Sequence, residues 1–210
     1  MEDLRSALRR AVCAQARYGS VVLMKHVVMF SGGIGSWGAA KRVAARHGTD
    51  NLVLLFADTK IEDEDLYRFL GEASANVGGR LDVIAEGRTP WEVFKDRRFI
   101  GNTRADPCSA VLKRDFLRKH LEENYTPADT AVYLGIDWTE EHRFERARSR
   151  WDPWKIYAPL CDAPYVHKGA LLAQLRADGI APPRLYGMGF PHNNCGEKVR
   201  ANASSLTRGR

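Results

Sequence analysis

The residues able to do chemistry gather in a few short stretches. The densest is Ser31-Gly32-Gly33-Ile34-Gly35-Ser36, three glycines and two serines between an apolar run and a helical one. Glycine lets successive backbone N–H groups turn inward as a nest, and a helix N-terminus adds partial positive charge at the same spot. The Ser31 and Ser36 hydroxyls are further donors, and a side chain at Gly33 is expected to block an anion's approach to the backbone. A phosphate or pyrophosphate suits such a loop. No Gly-Lys-Ser/Thr closes it, so it is not a Walker loop, nor is it read as a dinucleotide fingerprint. Asp58 ends the next apolar run, where a carboxylate serves a ribose hydroxyl, a Mg²⁺ ion or the N-cap of the following helix. Arg143, Arg146, Arg148 and Arg150 cluster after a later apolar run. Their guanidinium groups suit charge developing on a phosphoryl or sulfuryl group, or form a solvated basic helix face. Thiols stand at Cys13, Cys108, Cys161 and Cys195, with His192 and Asn193 beside the last.

These residues need elements to hold them. Apolar residues at Leu4, Ala7, Leu8, Ala11 and Val12 predict an N-terminal helix over 1–20. Residues 21–30 (VVLMKHVVMF) predict a buried strand, 38–48 a helix with a basic last turn, 51–59 a second buried strand. A helix with an acidic start follows over 61–78, a strand over 80–87, a helix over 109–125 and a strand over 130–137. That alternation implies an α/β fold, an open and mostly parallel sheet flanked by helices, over 21–200. Beyond Trp151 the chain reads as Pro-rich loops around one helix, 168–179, and 201–210 as a flexible tail.

Composition narrows the classes. The chain has 210 residues, 44% hydrophobic and 28% charged, which suits one globular domain and excludes a disordered chain. No apolar run is long enough to span a bilayer, and the acidic, arginine-rich start is unlike a secretory signal. Four widely spaced cysteines do not form a disulfide framework, so a cytoplasmic setting is expected. A net charge of +6, with Trp138, Trp151 and Trp154 among arginines, admits a nucleic-acid partner.

In this setting S-G-G-I-G-S resembles the PP-loop of the ATP pyrophosphatase superfamily, also called adenine nucleotide α-hydrolase-like, whose fold is of the HUP type. Asp is usual in that family where Gly35 stands. Phe56-Ala57-Asp58-Thr59 is similar to the strand end of the phosphoadenylylsulfate (PAPS) reductase branch. Cys108 to Lys113 resembles its cysteine-then-lysine helix start, and Gly135-Ile136-Asp137 with Glu140, Glu141 and Arg143 its glycine, acid and arginine segment. Tyr157 to Leu160, Pro183 to Phe190 and Cys195 resemble its C-terminal half, so the likeness runs over about 25–196.

The resemblance implies an enzyme that binds ATP and Mg²⁺ and cleaves ATP at the α-phosphate. It would adenylylate a substrate, release pyrophosphate, and pass sulfur to a nucleic acid or small molecule. Ser31, Gly32, Gly33, Gly35, Ser36 and Asp58 would bind the nucleotide; Arg143, Lys113, Cys108 and Cys195 would carry the chemistry. Cys108, Cys161 and Cys195 would be the ligands of a [4Fe–4S] cluster with one iron open, or else inert buried thiols. The four-cysteine cluster pattern is absent, since Ser109 follows Cys108 and Lys198 takes the place of a second cysteine after Cys195. Two alternatives stand beside this reading. One is a sulfonucleotide reductase with a cysteine nucleophile, against which the lack of a Glu-Cys-Gly-Leu-His tail counts. The other is a catalytically silent nucleotide-binding module in a larger assembly. Expected partners are an adenine nucleotide, a nucleic acid or sulfur donor, and a second copy of the chain, with no membrane.

Overall fold

The computed structural model describes residues 23–99 and 106–193. The predicted helix over 1–20, the tail, Cys13 and Cys195 lie outside the described residues. Strand β1 (Lys25–Met29) leads into α1 (Ile34–His47), then β2 (Leu52–Asp58), α2 (Glu64–Val77), β3 (Arg80–Ala85) and α3 (Pro90–Arg97). A short α4 (Pro107–Ser109) continues as a π-helical stretch, Ala110–Asp115, into α5 (Phe116–Asn124). Strand β4 (Thr130–Tyr133), a 3₁₀ turn at Trp138–Glu140, α6 (Glu141–Trp151), β5 (Lys155–Tyr157), α7 (Lys168–Ala177) and α8 (Arg184–Gly187) complete it.

Among the described residues five strands lie in the order β3-β2-β1-β4-β5, and every pairing is parallel. Val28 of β1 stands opposite Leu54 on one side and Tyr133 on the other. Central strands covered on both faces must be apolar throughout, as β2 is: Leu52 to Ala57 are all buried. The edge strand β3 has no fully buried residue and exposes Val83. On one face Val28, Phe30, Leu54 and Phe56 pack against Trp37 of α1, Phe69 of α2 and Leu175 of α7. On the other, Val27, Leu55, Val132 and Ile156 pack against Leu121 of α5 and Trp151 of α6. This is a doubly wound α/β sheet, and its strand order reverses between β1 and β4.

Several boundaries differ from the sequence reading. Strand β1 starts at Lys25, not at 21, and helix α2 starts at Glu64 because Asp63 is its N-cap, accepting from Asp65 N at 3.0 Å. Asp58 is therefore not that cap. The segment after Trp151 is not only loops and a helix: it supplies β5, three residues long. Helix α3 escaped periodicity, yet it carries Thr89 and Glu92 as a capping box and Pro90 in its first turn. Among the described residues no helix is long and apolar enough to cross a membrane.

Candidate functional site

The loop from β1 to α1 sits where the strand order reverses, the place where ligands bind in open parallel sheets. Gly32 turns the chain with φ +72°, and Leu66 of α2 lies 3.0 Å from where a Cβ would stand. Gly33 is the N-cap of α1 in an extended conformation and offers no side-chain cap. The first-turn N–H groups of Ile34, Gly35 and Ser36 have no partner within the helix and point out of its end. Ile34 N donates to Tyr186 Oη at 3.0 Å. Ser36 Oγ donates to the Gly33 carbonyl at 2.8 Å, and Ser31 Oγ donates to Ser36 Oγ at 3.4 Å. Both hydroxyls expected to serve a phosphate thus brace the loop, and both serines line the cavity beside it.

Gly35 meets the end of β4. A Cβ on Gly35 would lie 2.7 Å from the Gly135 carbonyl oxygen, and one on Gly135 would lie 2.6 Å from Ser36 N. Two glycines facing each other let the N-terminus of α1 and the β4 connector touch backbone to backbone. Gly33, Gly35 and Gly38 carry the spacing G-x-G-x-x-G, although the loop is not read from sequence as a dinucleotide fingerprint. Here the positive φ belongs to Gly32, outside that triplet, and Gly38 makes room for Leu171 of α7, 2.9 Å from its missing Cβ.

Around the loop is a cavity of about 390 Å³, within the range of small-molecule sites. Arg143 lines it and is paired with Glu140, and Asp137 lines it too, its Oδ1 capping the 3₁₀ turn by accepting from Thr139 N at 2.9 Å. Lys168, the first residue of α7, stands 4.0 Å above the Tyr186 ring and donates to the Pro191 carbonyl at 2.6 Å. Burial lowers its pKa, and burial raises that of Tyr186. Asn193 is 2% exposed; its Nδ2 donates to the Gly32 carbonyl at 2.7 Å, while its Oδ1 has no partner among the described residues.

Tyr186 and Asn193 reach the loop on a strap, 183–193, tied down at both ends. Arg184 Nε and Nη2 hold Asp63 at 2.7 and 2.9 Å, and Arg184 N donates to Asp65 at 2.7 Å. That fastens α8 to the start of α2 and aims Tyr186 at Ile34, while Asn193 fastens the far end to Gly32. Lys168 and Tyr186 were not singled out from sequence as site residues, and Asn193 only as a neighbour of Cys195. Lys168 alone carried a signal, because a lysine opposes the dipole at a helix N-terminus and needs another reason to be there.

The remaining candidates lie elsewhere. Asp58 is outside the cavity lining; its Oδ1 accepts from Lys60 N at 2.7 Å and from Tyr67 Oη at 2.8 Å. Lys113 is also outside it and pairs at 3.0 Å with Glu62, which takes a hydrogen bond from Thr59 at 2.9 Å. Cys108 is buried among Val93, Phe94 and Leu112, its Sγ donating to Asp106 at 2.9 Å. Cys161 follows β5, with Sγ 3.6 Å from the Ile136 carbonyl. Burial and then the charges of Glu141, Asp137, Asp162 and Glu145 raise its pKa, so it stays a thiol at neutral pH. Cys108 packs with α3 and the π-helical stretch, whereas Cys161 lines a cavity beside β4 and β5. Among the described residues no group of three or more His, Cys, Asp or Glu is placed to hold a metal ion.

No family model matches the chain, and no curated protein matches its sequence.

Proposed function

We propose that this chain is a PP-loop enzyme, of the PAPS reductase-like branch and HUP fold, that binds ATP and adenylylates an acceptor. The reading rests on the resemblance of the Ser31–Ser36 loop. One observation carries it furthest: the first turn of α1, with the Gly35 and Ser36 N–H groups outside the helical ladder, stands at the mouth of the sheet where the strand order reverses. In this scheme the first-turn N–H groups and the helix dipole bind the β- and γ-phosphates. The acceptor's nucleophile attacks the α-phosphorus, a new bond forms there, and the bond to the bridging oxygen breaks. Pyrophosphate leaves with that electron pair, its charge met by Arg143 and Lys168. Mg²⁺ would neutralise the phosphates, and Asp137 is the cavity carboxylate suited to hold it. Asp58 and Lys113 have no part in this scheme.

The test is a panel of ATP, AMP, adenylyl sulfate, PAPS and NAD, each with Mg²⁺, followed by melting temperature and by pyrophosphate release. At a hundredfold excess over Kd, ATP is expected to stabilise the protein by about 2.7 kcal/mol, a shift of about 5–10 °C. A shift with sulfonucleotides alone would replace the proposal with the reductase reading. A shift with NAD alone would assign the glycine spacing to a dinucleotide. Binding of ATP without pyrophosphate release in the presence of any acceptor would leave a binding module.

A further inference from the structure

A second cavity, of about 670 Å³, opens on the α1 face of β4 and β5. It follows from the register. Ala131 stands between His26 of β1 and Lys155 of β5, and its methyl group leaves a hollow between those longer side chains. Two residues along, Tyr133 lies directly opposite Tyr157, their rings 5.4 Å apart and tilted by 28°. His26 Nδ1 is 2.8 Å from Tyr133 Oη, and the His26 ring stacks on His47 at 4.1 Å. Tyr133 is thereby buried and locked, whereas Tyr157, on the edge strand, is 47% exposed and presents its outer face.

The charges around this hollow are divided. Lys155 begins β5 and Arg148 is in the second half of α6, while Glu141 and Glu145 in its first half and Asp162 crowd around Cys161. Arg148 is 3.6 Å from Glu145 and Arg46 is 3.8 Å from Asp162, both pairs exposed and therefore weak. A flat ring on Tyr157 with donor hydrogens at the acidic end and an anion at the basic end satisfies all three features. An amino-bearing base with its phosphate has that form, since carboxylates accept from exocyclic amines and lysine and arginine hold phosphate. The cavity also adjoins the first. Glu140 and Arg143 face the Ser31–Ser36 loop, Glu141 and Phe144 face this hollow, and Asp137 pairs with Leu160 between them.

We infer that this second cavity binds a nucleobase carrying a phosphate, stacked on Tyr157, as a site separate from the Ser31–Ser36 loop. Its role as the acceptor site rests on the adenylylating function proposed above; its existence does not.

Calorimetric titration of the full chain with CMP, UMP and a single-stranded cytidine RNA pentamer tests this. CMP is expected to saturate one site more tightly than UMP, and Tyr157→Ala to weaken it about tenfold, the worth of one stacked base. Lys155→Glu, at an exposed position, is expected to weaken it as well. Tighter binding of the pentamer identifies a strand as the source of the base, and equal binding a free nucleotide. Heat that does not saturate, or CMP binding unchanged in both variants, overturns the site. Equal affinity for UMP and CMP overturns the placement of the base against the carboxylates. Failure of ATP to bind or react would leave these readings untouched and fall on the adenylylating proposal alone.

Discussion

At the scale of single residues the glycines are not equivalent. A methyl group at Gly35 would meet backbone, the Gly135 carbonyl at 2.7 Å, which cannot rotate away. A methyl group at Gly33 would meet the Tyr186 hydroxyl at 3.4 Å, an ordinary contact, at a residue whose φ of −102° any amino acid adopts. Gly35→Ala is therefore expected to cost about 1–3 kcal/mol and to displace the open N–H groups, with loss of ATP binding. Gly33→Ala is expected to stay within about 0.5 kcal/mol of the parent protein. Urea unfolding of the two variants checks this, and equal losses would mean that the Gly35 contact relaxes freely. Tyr186→Phe removes the acceptor of the Ile34 N–H and is expected to cost about 1 kcal/mol. The glycine and serine content of the loop was legible from the sequence. Which glycine is sterically required was not, because its partner is 100 residues away at Gly135 and leaves no local mark.

At the scale of elements, helix α2 and strand β1 carry the testable charges. Asp63 is 4% exposed, caps α2 and holds Arg184, so Asp63→Ala removes a cap and a charge-assisted pair together. A loss of about 2 kcal/mol is expected, and a smaller one for Arg184→Ala, whose side chain is half in solvent. Asp63→Asn keeps the cap and is expected to fall between them. The pH dependence of β1 follows from His26. Burial, and then the charge of His47, lower its pKa below the ordinary 6.5. Between the folded pKa and 6.5 the unfolded chain binds the proton more readily than the folded one. Stability is thus expected to fall as pH drops below 6.5 and to level once it passes the folded pKa. Melting between pH 5 and 8 should show this slope in the parent protein and a smaller one in His26→Gln. A slope unchanged by that substitution would assign it to another group. The central strands and α1 were legible because unbroken apolar runs and helical spacing mark them. Strand β5 was not, since three residues, Lys155 to Tyr157, show no period and gain their place by pairing with β4.

At the scale of the whole molecule, the loop after β1 is held by parts of the chain that come far later. Gly135 presses on it from the end of β4, Tyr186 is 152 residues beyond Ile34, and Asn193 is 161 beyond Gly32. The alternation of strands and helices announced a parallel sheet and hence a ligand site at its carboxyl end. It could not announce the strap, because a segment that folds by side-chain tethers rather than by periodicity has no pattern to read. If the strap docks as a unit, its two tethers depend on each other: freeing Arg184 from Asp63 lets Tyr186 and Asn193 drift from the loop. The effects of Arg184→Ala and Asn193→Ala should then fall short of additivity, the double variant losing at least about 0.5 kcal/mol less than the two single losses summed. The same coupling should appear in ATP affinity, because either substitution already releases the wall that carries Lys168's partners, Tyr186 and Pro191. A double-mutant cycle read by urea unfolding and by nucleotide titration measures both. Strict additivity in both readouts would show two independent clasps, with Asn193 acting on Gly32 alone and the strap between them free to move without consequence for the loop.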